Sequence, residues 1–183
     1  MTYRLRPLYN FGGYMAAICL SFICVLITTQ ILGRIIDRVA TTIGGDRIGL
    51  SIPGLSEISG FLLVGASFLG LAYTFIHGGH IRVTLLIGRF PAAARAWVEV
   101  FCLTVALILC LYLAWNLFWL LDDSIAFGET SYGLLRIPLW IPQSAMLTGV
   151  ALFCLALLES LFQTLTAAIK HPHSFTIDDS GHE

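Results

Sequence analysis

Leu62–Val83 reads LLVGASFLGLAYTFIHGGHIRV. An uncharged run opens after Glu57, passes through this stretch to Ile81, and meets its first cation at Arg82. A helix crossing a bilayer needs about 20 apolar residues at about 1.5 Å of rise each. The run has that length. In hydrocarbon every backbone amide must find its partner within the segment, so the run is expected to be helical. Working outward, three more runs of the same kind follow. One lies between Arg6 and Arg34, with its core at Tyr14–Leu32. Another follows Glu99 and ends before Asp122, and a third lies between Arg136 and Glu159, with apolar residues continuing past that acid.

Composition agrees. Of the 183 residues, 57% are hydrophobic and 11% are charged, and the mean hydropathy is +0.86. A soluble domain carries roughly 25% charged residues, so this chain cannot cover itself with polar surface. The expected fold class is an all-α integral membrane protein, with four transmembrane helices and amphipathic interfacial segments. The expected spans are about 11–33, 57–77, 97–121 and 138–165. They form a single four-helix membrane domain over 1–170, followed by a polar tail over 171–183. A net charge of -1 gives no reason to expect nucleic-acid binding. The first run is longer than a signal-peptide core and no A-x-A-like site closes it, so it reads as a retained helix.

Four crossings put both ends of the chain on one side. With the N-terminus inside, inner segments hold Arg4, Arg6, Arg82, Arg89, Arg95 and Lys170. Outer segments hold Arg34, Arg38, Arg47 and Arg136. Cytoplasmic loops are enriched in cations, so both termini are expected in the cytoplasm. Trp97, Trp115, Trp119 and Trp140 fall near expected span ends, where an indole is half apolar and half wet. Pro138 and Pro142 flank Trp140 and suit a helix start, where a missing N–H costs nothing.

Two connecting segments carry a pattern. In Gly33–Gly45, apolar Ile35, Ile36, Val39 and Ile43 alternate with Arg34, Asp37, Arg38 and Thr41 at near-helical spacing. The first helix therefore extends beyond the bilayer or bends along its surface. In Ile81–Trp97 three arginines sit among aliphatic residues, and Pro91 is expected to separate a short helix from one starting near Ala92.

Chemistry has little to stand on. His77 and His80 sit at i, i+3, but Gly78 and Gly79 intervene and no acid or thiol lies close in sequence. A helix end at the headgroup level explains them better than a metal or haem. The five cysteines all fall inside apolar runs and none forms C-x-x-C, so they read as small apolar residues rather than redox or metal thiolates. There is no G-x-S-x-G, H-E-x-x-H or phosphate-binding glycine loop, so no enzyme, metal or cofactor is expected.

Glu57 opens the second run and reads first as a cap on its helix dipole, second as a partner contact. Glu159 lies about 9 Å short of the expected helix end near Leu165. It could snorkel, pair with Lys170 or meet another protein. Neither acid stands at a span centre, where a proton or ion path would need one. Gly60, Ala66, Ser67 and Gly70 give the second helix small residues that let backbones approach, so they are expected to pack on another helix.

The motif GGHIRV after a second span, followed by apolar residues, arginine and proline, resembles the small membrane subunit of tripartite ATP-independent periplasmic (TRAP) transporters, the DctQ-like family. Glu57, the stretch Leu62–Val83, and ETSYGLLRIPLWIPQSAM (Glu129–Met146) carry the resemblance, which covers most of the chain. One departure is Thr84, where many relatives have an acid. The resemblance implies a bacterial or archaeal inner-membrane protein. Its partners would be a large membrane subunit, which carries substrate and sodium, and a periplasmic binding protein that delivers the substrate, commonly an organic acid. It also implies that Glu57, Gly79, His80, Ile81, Arg82, Val83 and Pro138 make interfacial or partner contacts, with the small subunit bracing the large one against the bilayer. Two other classes remain open: a self-sufficient small homo-oligomeric transporter, and a membrane anchor of a redox complex.

Overall fold

The structure is a computed structural model and describes residues 3–44, 49, 52–78 and 92–170. The motif residues Gly79, His80, Ile81, Arg82 and Val83 lie outside the described residues, as do Thr84, the rest of the expected short helix up to Pro91 and the tail from His171. Among the described residues four helices form the fold: α1 (Arg6–Ile43), α2 (Leu55–Ile76), α3 (Ala92–Ala126) and α4 (Trp140–Lys170). Each is long and apolar enough to cross a membrane. Among the described residues the only extended pairing is an isolated bridge between Thr130 and Pro138.

Three of the helices outrun the apolar segments that mark them. α1 has 38 residues, about 57 Å by helix rise, and α3 has 35. α1 starts at a proline in its first turn and runs unbroken past Arg34 and Arg38. It stops at Gly44, whose φ of 83° is the left-handed conformation that a helix C-terminus favours. The segment expected to continue the first helix, Gly33–Gly45, is helical as far as Ile43. α2 ends at Ile76, and Gly78 follows with φ 75°. Its amide donates to Phe75 O at 3.3 Å, so the glycine does close the helix in a tight turn.

Packing gives a row rather than a closed bundle. α1 lies on α2, α2 on α4, and α4 on α3, while α1 and α4 touch lightly. The order across the row is α1–α2–α4–α3. Small residues set the spacing. Gly70 would meet Ala16 through an added Cβ, and Gly65 would meet Cys19 and Ala145. An added Cβ at Gly12 would come within 2.8 Å of Leu69 O, and one at Gly149 would overlap the Phe68 backbone. Lipid tails give helices no hydrophobic reason to associate, so close backbone approach is what holds such pairs. Ala66 is buried, as expected of a packing position. Gly60 meets nothing within 4 Å, and Ser67 is exposed, so neither packs inside the chain.

Two small cores sit in the seams. Tyr9, Ala72 and Ala156 join α1, α2 and α4. Leu117, Val150 and Cys154 join α3 and α4, with Cys110 packed against them. The cysteines are free thiols in these seams or on the outer surface.

Candidate functional site: two carboxylate clasps

The row would be pliable if its helices met only through apolar contacts. Two glutamates tie its halves together, one at each end. Glu57 is on the first turn of α2. That turn begins at Gly54, which offers no side-chain cap. The carboxylate does not turn back to the helix amides. It accepts the hydroxyl of Ser131 and, at 3.2 Å, the backbone N–H of Leu135. Both donors lie in the connection between α3 and α4, so Glu57 holds that connection over the start of α2. A carboxylate accepting such bonds contributes roughly 1.5–3 kcal/mol per bond.

The connection is itself ordered by its own chain. Ser131 N donates to Ile137 O at 2.8 Å and Leu139 N to Glu129 O at 3.0 Å. Ser124, fully buried near the end of α3, donates to the Glu129 carboxylate at 2.8 Å. Pro138 forms the isolated bridge with Thr130 and precedes the first residue of α4, Trp140. Gly133 lies directly over Glu57, and an added Cβ there would overlap the carboxylate. A side chain at 133 would push the Glu57 carboxylate away from its two donors, although the backbone conformation there does not itself call for glycine.

Glu159 closes the other end. Its carboxylate accepts the Tyr9 hydroxyl at 3.1 Å and the backbone N–H of Arg4. This binds α4 to the start of α1. Tyr9 is wholly buried. The expected pairing with Lys170 is not what the structure gives: the partners of Glu159 are Tyr9 on α1 and Arg4 just before it. A third polar tie accompanies these two: the side-chain carbonyl of Gln30, a buried residue of α1, accepts the Ile52 N–H at 2.8 Å.

His77 is held within the chain. Its ring lies 4.1 Å from the Tyr73 ring, and Nδ1 sits 2.9 Å from Tyr73 O. Among the described residues no three His, Cys, Asp or Glu side chains gather as metal ligands. The arrangement offers mechanical coupling of helices.

Sequence reasoning singled out Glu57, Glu159 and the stretch Glu129–Met146, but not the bonds between them. Tyr9, Gln30, Gly133 and Leu135 carried no local signal. Ser131 stood inside a family-like stretch without an assigned partner.

Comparison with known proteins gives the family. Residues 23–167 match the profile described as tripartite ATP-independent periplasmic transporters, DctQ component. The chain is 23% identical over 130 residues to the ectoine TRAP transporter small permease protein TeaB of Halomonas elongata, covering 69% of this chain and 67% of that protein. No solved structure matches. Four helices fit to span a bilayer and a profile match over most of the chain lead to one conclusion: this multi-pass membrane protein belongs to the DctQ-component family of TRAP transporters, as a small permease subunit.

Proposed function

We propose that the chain braces a large TRAP membrane subunit and does not itself carry solute. In this reading the large subunit performs sodium-coupled uptake of an organic acid, which a periplasmic binding protein delivers. The complex sits in the inner membrane with both ends of this chain in the cytoplasm. The observation that carries the proposal is the destination of the two carboxylates. Glu57 and Glu159 are the acids nearest the apolar interior of their helices, and both are engaged by donors of the same chain. Charged groups inside a membrane are costly and mark ion paths when they face a cavity. Here they close contacts between helices instead, as a rigid support requires.

Arg82, with Gly79, His80, Ile81 and Val83, is assigned to holding the connection after α2 at the inner headgroup layer or against the large subunit. The cation suits either lipid phosphate or a partner carboxylate. The test is co-purification. A tagged chain expressed with its large subunit should bring that subunit down from detergent extracts at a fixed ratio. Recovery of this chain alone, from membranes that contain the large subunit, would refute the assignment.

A further inference from the structure

Between Arg6 and Arg34, α1 carries no charged residue. By helix rise these two arginines are about 42 Å apart. A bilayer with its headgroup regions is about 40–45 Å thick. With Arg6 at one headgroup layer, Arg34 therefore stands at the other. Arg38 follows one turn further out, and the helix is unbroken through both to Ile43.

At i, i+4 the two arginines share a face, with roughly 5–6 Å between their Cβ atoms. Both side chains are exposed, and among the described residues neither guanidinium has a hydrogen bond or an ion pair. Their polar neighbours are engaged. Asp37 accepts the Gly49 N–H at 3.1 Å. The hydroxyls of Thr41 and Thr42 donate back along the helix to Asp37 O at 2.7 Å and Arg38 O at 2.8 Å. These five residues line one open groove of about 540 Å³. Small-ligand sites run from roughly 300 to 1,000 Å³, so the groove admits a headgroup. With the threonine protons directed into the helix, the side-chain donors left to the groove are the two guanidiniums. A guanidinium offers five N–H donors in a fixed fork and accepts nothing. Its match is an oxyanion with two or more acceptor oxygens, such as a phosphate.

The rest of that face says where the phosphate comes from. Ile27, Ile31, Arg34 and Arg38 follow one another at i, i+4, i+7 and i+11, which is a single helical face. Ile27 is 41% exposed and Ile31 52%. From the bilayer interior outward the face is thus apolar for two turns and then cationic for two. A phospholipid has the same order, with acyl chains inward and a phosphodiester at the headgroup layer. A free anion would use only the outer half. We infer that the face Ile27–Arg38 of α1 binds one phospholipid, with its phosphodiester between the Arg34 and Arg38 guanidiniums and its chains along Ile31 and Ile27. Held in this way, α1 has a fixed depth where it leaves the bilayer.

The test uses the purified full chain in detergent, with retained lipid counted by native mass spectrometry after addition of phosphatidylglycerol. Wild-type chain should retain phosphatidylglycerol at least about ten-fold more than diacylglycerol with the same chains, which lacks the phosphate. Equal retention overturns the inference, and this comparison needs no variant to fold. Arg34→Gln with Arg38→Gln should lower phosphatidylglycerol retention at least about ten-fold, with helical content by circular dichroism unchanged. Undiminished retention in that variant overturns the inference. Excess inorganic phosphate should leave the lipid in place on the wild-type chain. Displacement by inorganic phosphate would show a site for free anions and would overturn the assignment to lipid.

Discussion

Glu57 and Ser131 are 74 positions apart in the chain, yet the carboxylate of one accepts the hydroxyl of the other. The bond joins the start of α2 to the connection that leads into α4, and so fixes two neighbours of the row at one end. Tyr9 and Glu159, 150 positions apart, join the start of α1 to α4, across α2, at the other end. A row of helices resists bending when its ends are pinned, and these two pairs are the pins.

Glu57→Ala removes the acceptor for Ser131 and Leu135 together. Each half-buried donor left without a partner costs about 1–3 kcal/mol. The variant should therefore unfold about 2–4 kcal/mol more easily in detergent, with protease cleavage appearing first between Glu129 and Leu139. Glu57→Gln keeps an acceptor oxygen but loses charge assistance, and should lose less. If Glu57 also supports assembly, Glu57→Gln recovers less large subunit in a pull-down. Unchanged recovery would leave only the role within the chain.

Two glycine substitutions should behave oppositely. At Gly133 an added methyl overlaps the Glu57 carboxylate, so Gly133→Ala should reproduce much of the Glu57→Ala loss. At Gly60 nothing lies within 4 Å, and alanine is favoured over glycine in a helix by about 1 kcal/mol. Gly60→Ala should therefore be neutral or stabilising by thermal unfolding, unless a partner helix packs there.

Tyr9→Phe keeps the buried ring and removes one bond to Glu159. The expected loss is about 1–2 kcal/mol, with the Arg4 amide still donating. Gly149→Val acts on packing instead, because its side chain would overlap the Phe68 backbone and force α2 from α4. Over-packing of that kind costs roughly 1–3 kcal/mol. A cross-link between cysteines placed on α2 and α4 should form more slowly in Gly149→Val and at the ordinary rate in Tyr9→Phe.

Arg82→Ala is expected to lower uptake by the complex while leaving the order of substrate preference intact, since the proposed role gives substrate binding to the large subunit. A changed preference, read by competition between solutes, would count directly against the supporting role.

Why the sequence revealed the helices but not the pins is a matter of range. Hydrophobicity is summed along the chain, so the four uncharged runs declare four helices. It underestimates their ends, because a helix does not stop where hydrocarbon does. Arg34, Asp37 and Arg38 closed the first apolar run, yet α1 continues past them to Ile43. The expectation for Glu57 was drawn from its nearest amides, which a local reading can see. The observed donors, Ser131 and Leu135, come near only when α2 and α4 lie side by side, which the small residues Gly65 and Gly149 permit. Gly60 shows the converse. Its size suggested a packing role, but size cannot say which face of a helix meets a neighbour within the chain.

The supporting role is tested most directly by solute uptake into vesicles. Vesicles holding this chain alone, given the binding protein and an inward sodium gradient, should accumulate no organic acid above protein-free controls. Adding the large subunit should restore accumulation. Accumulation by the chain alone would contradict the account.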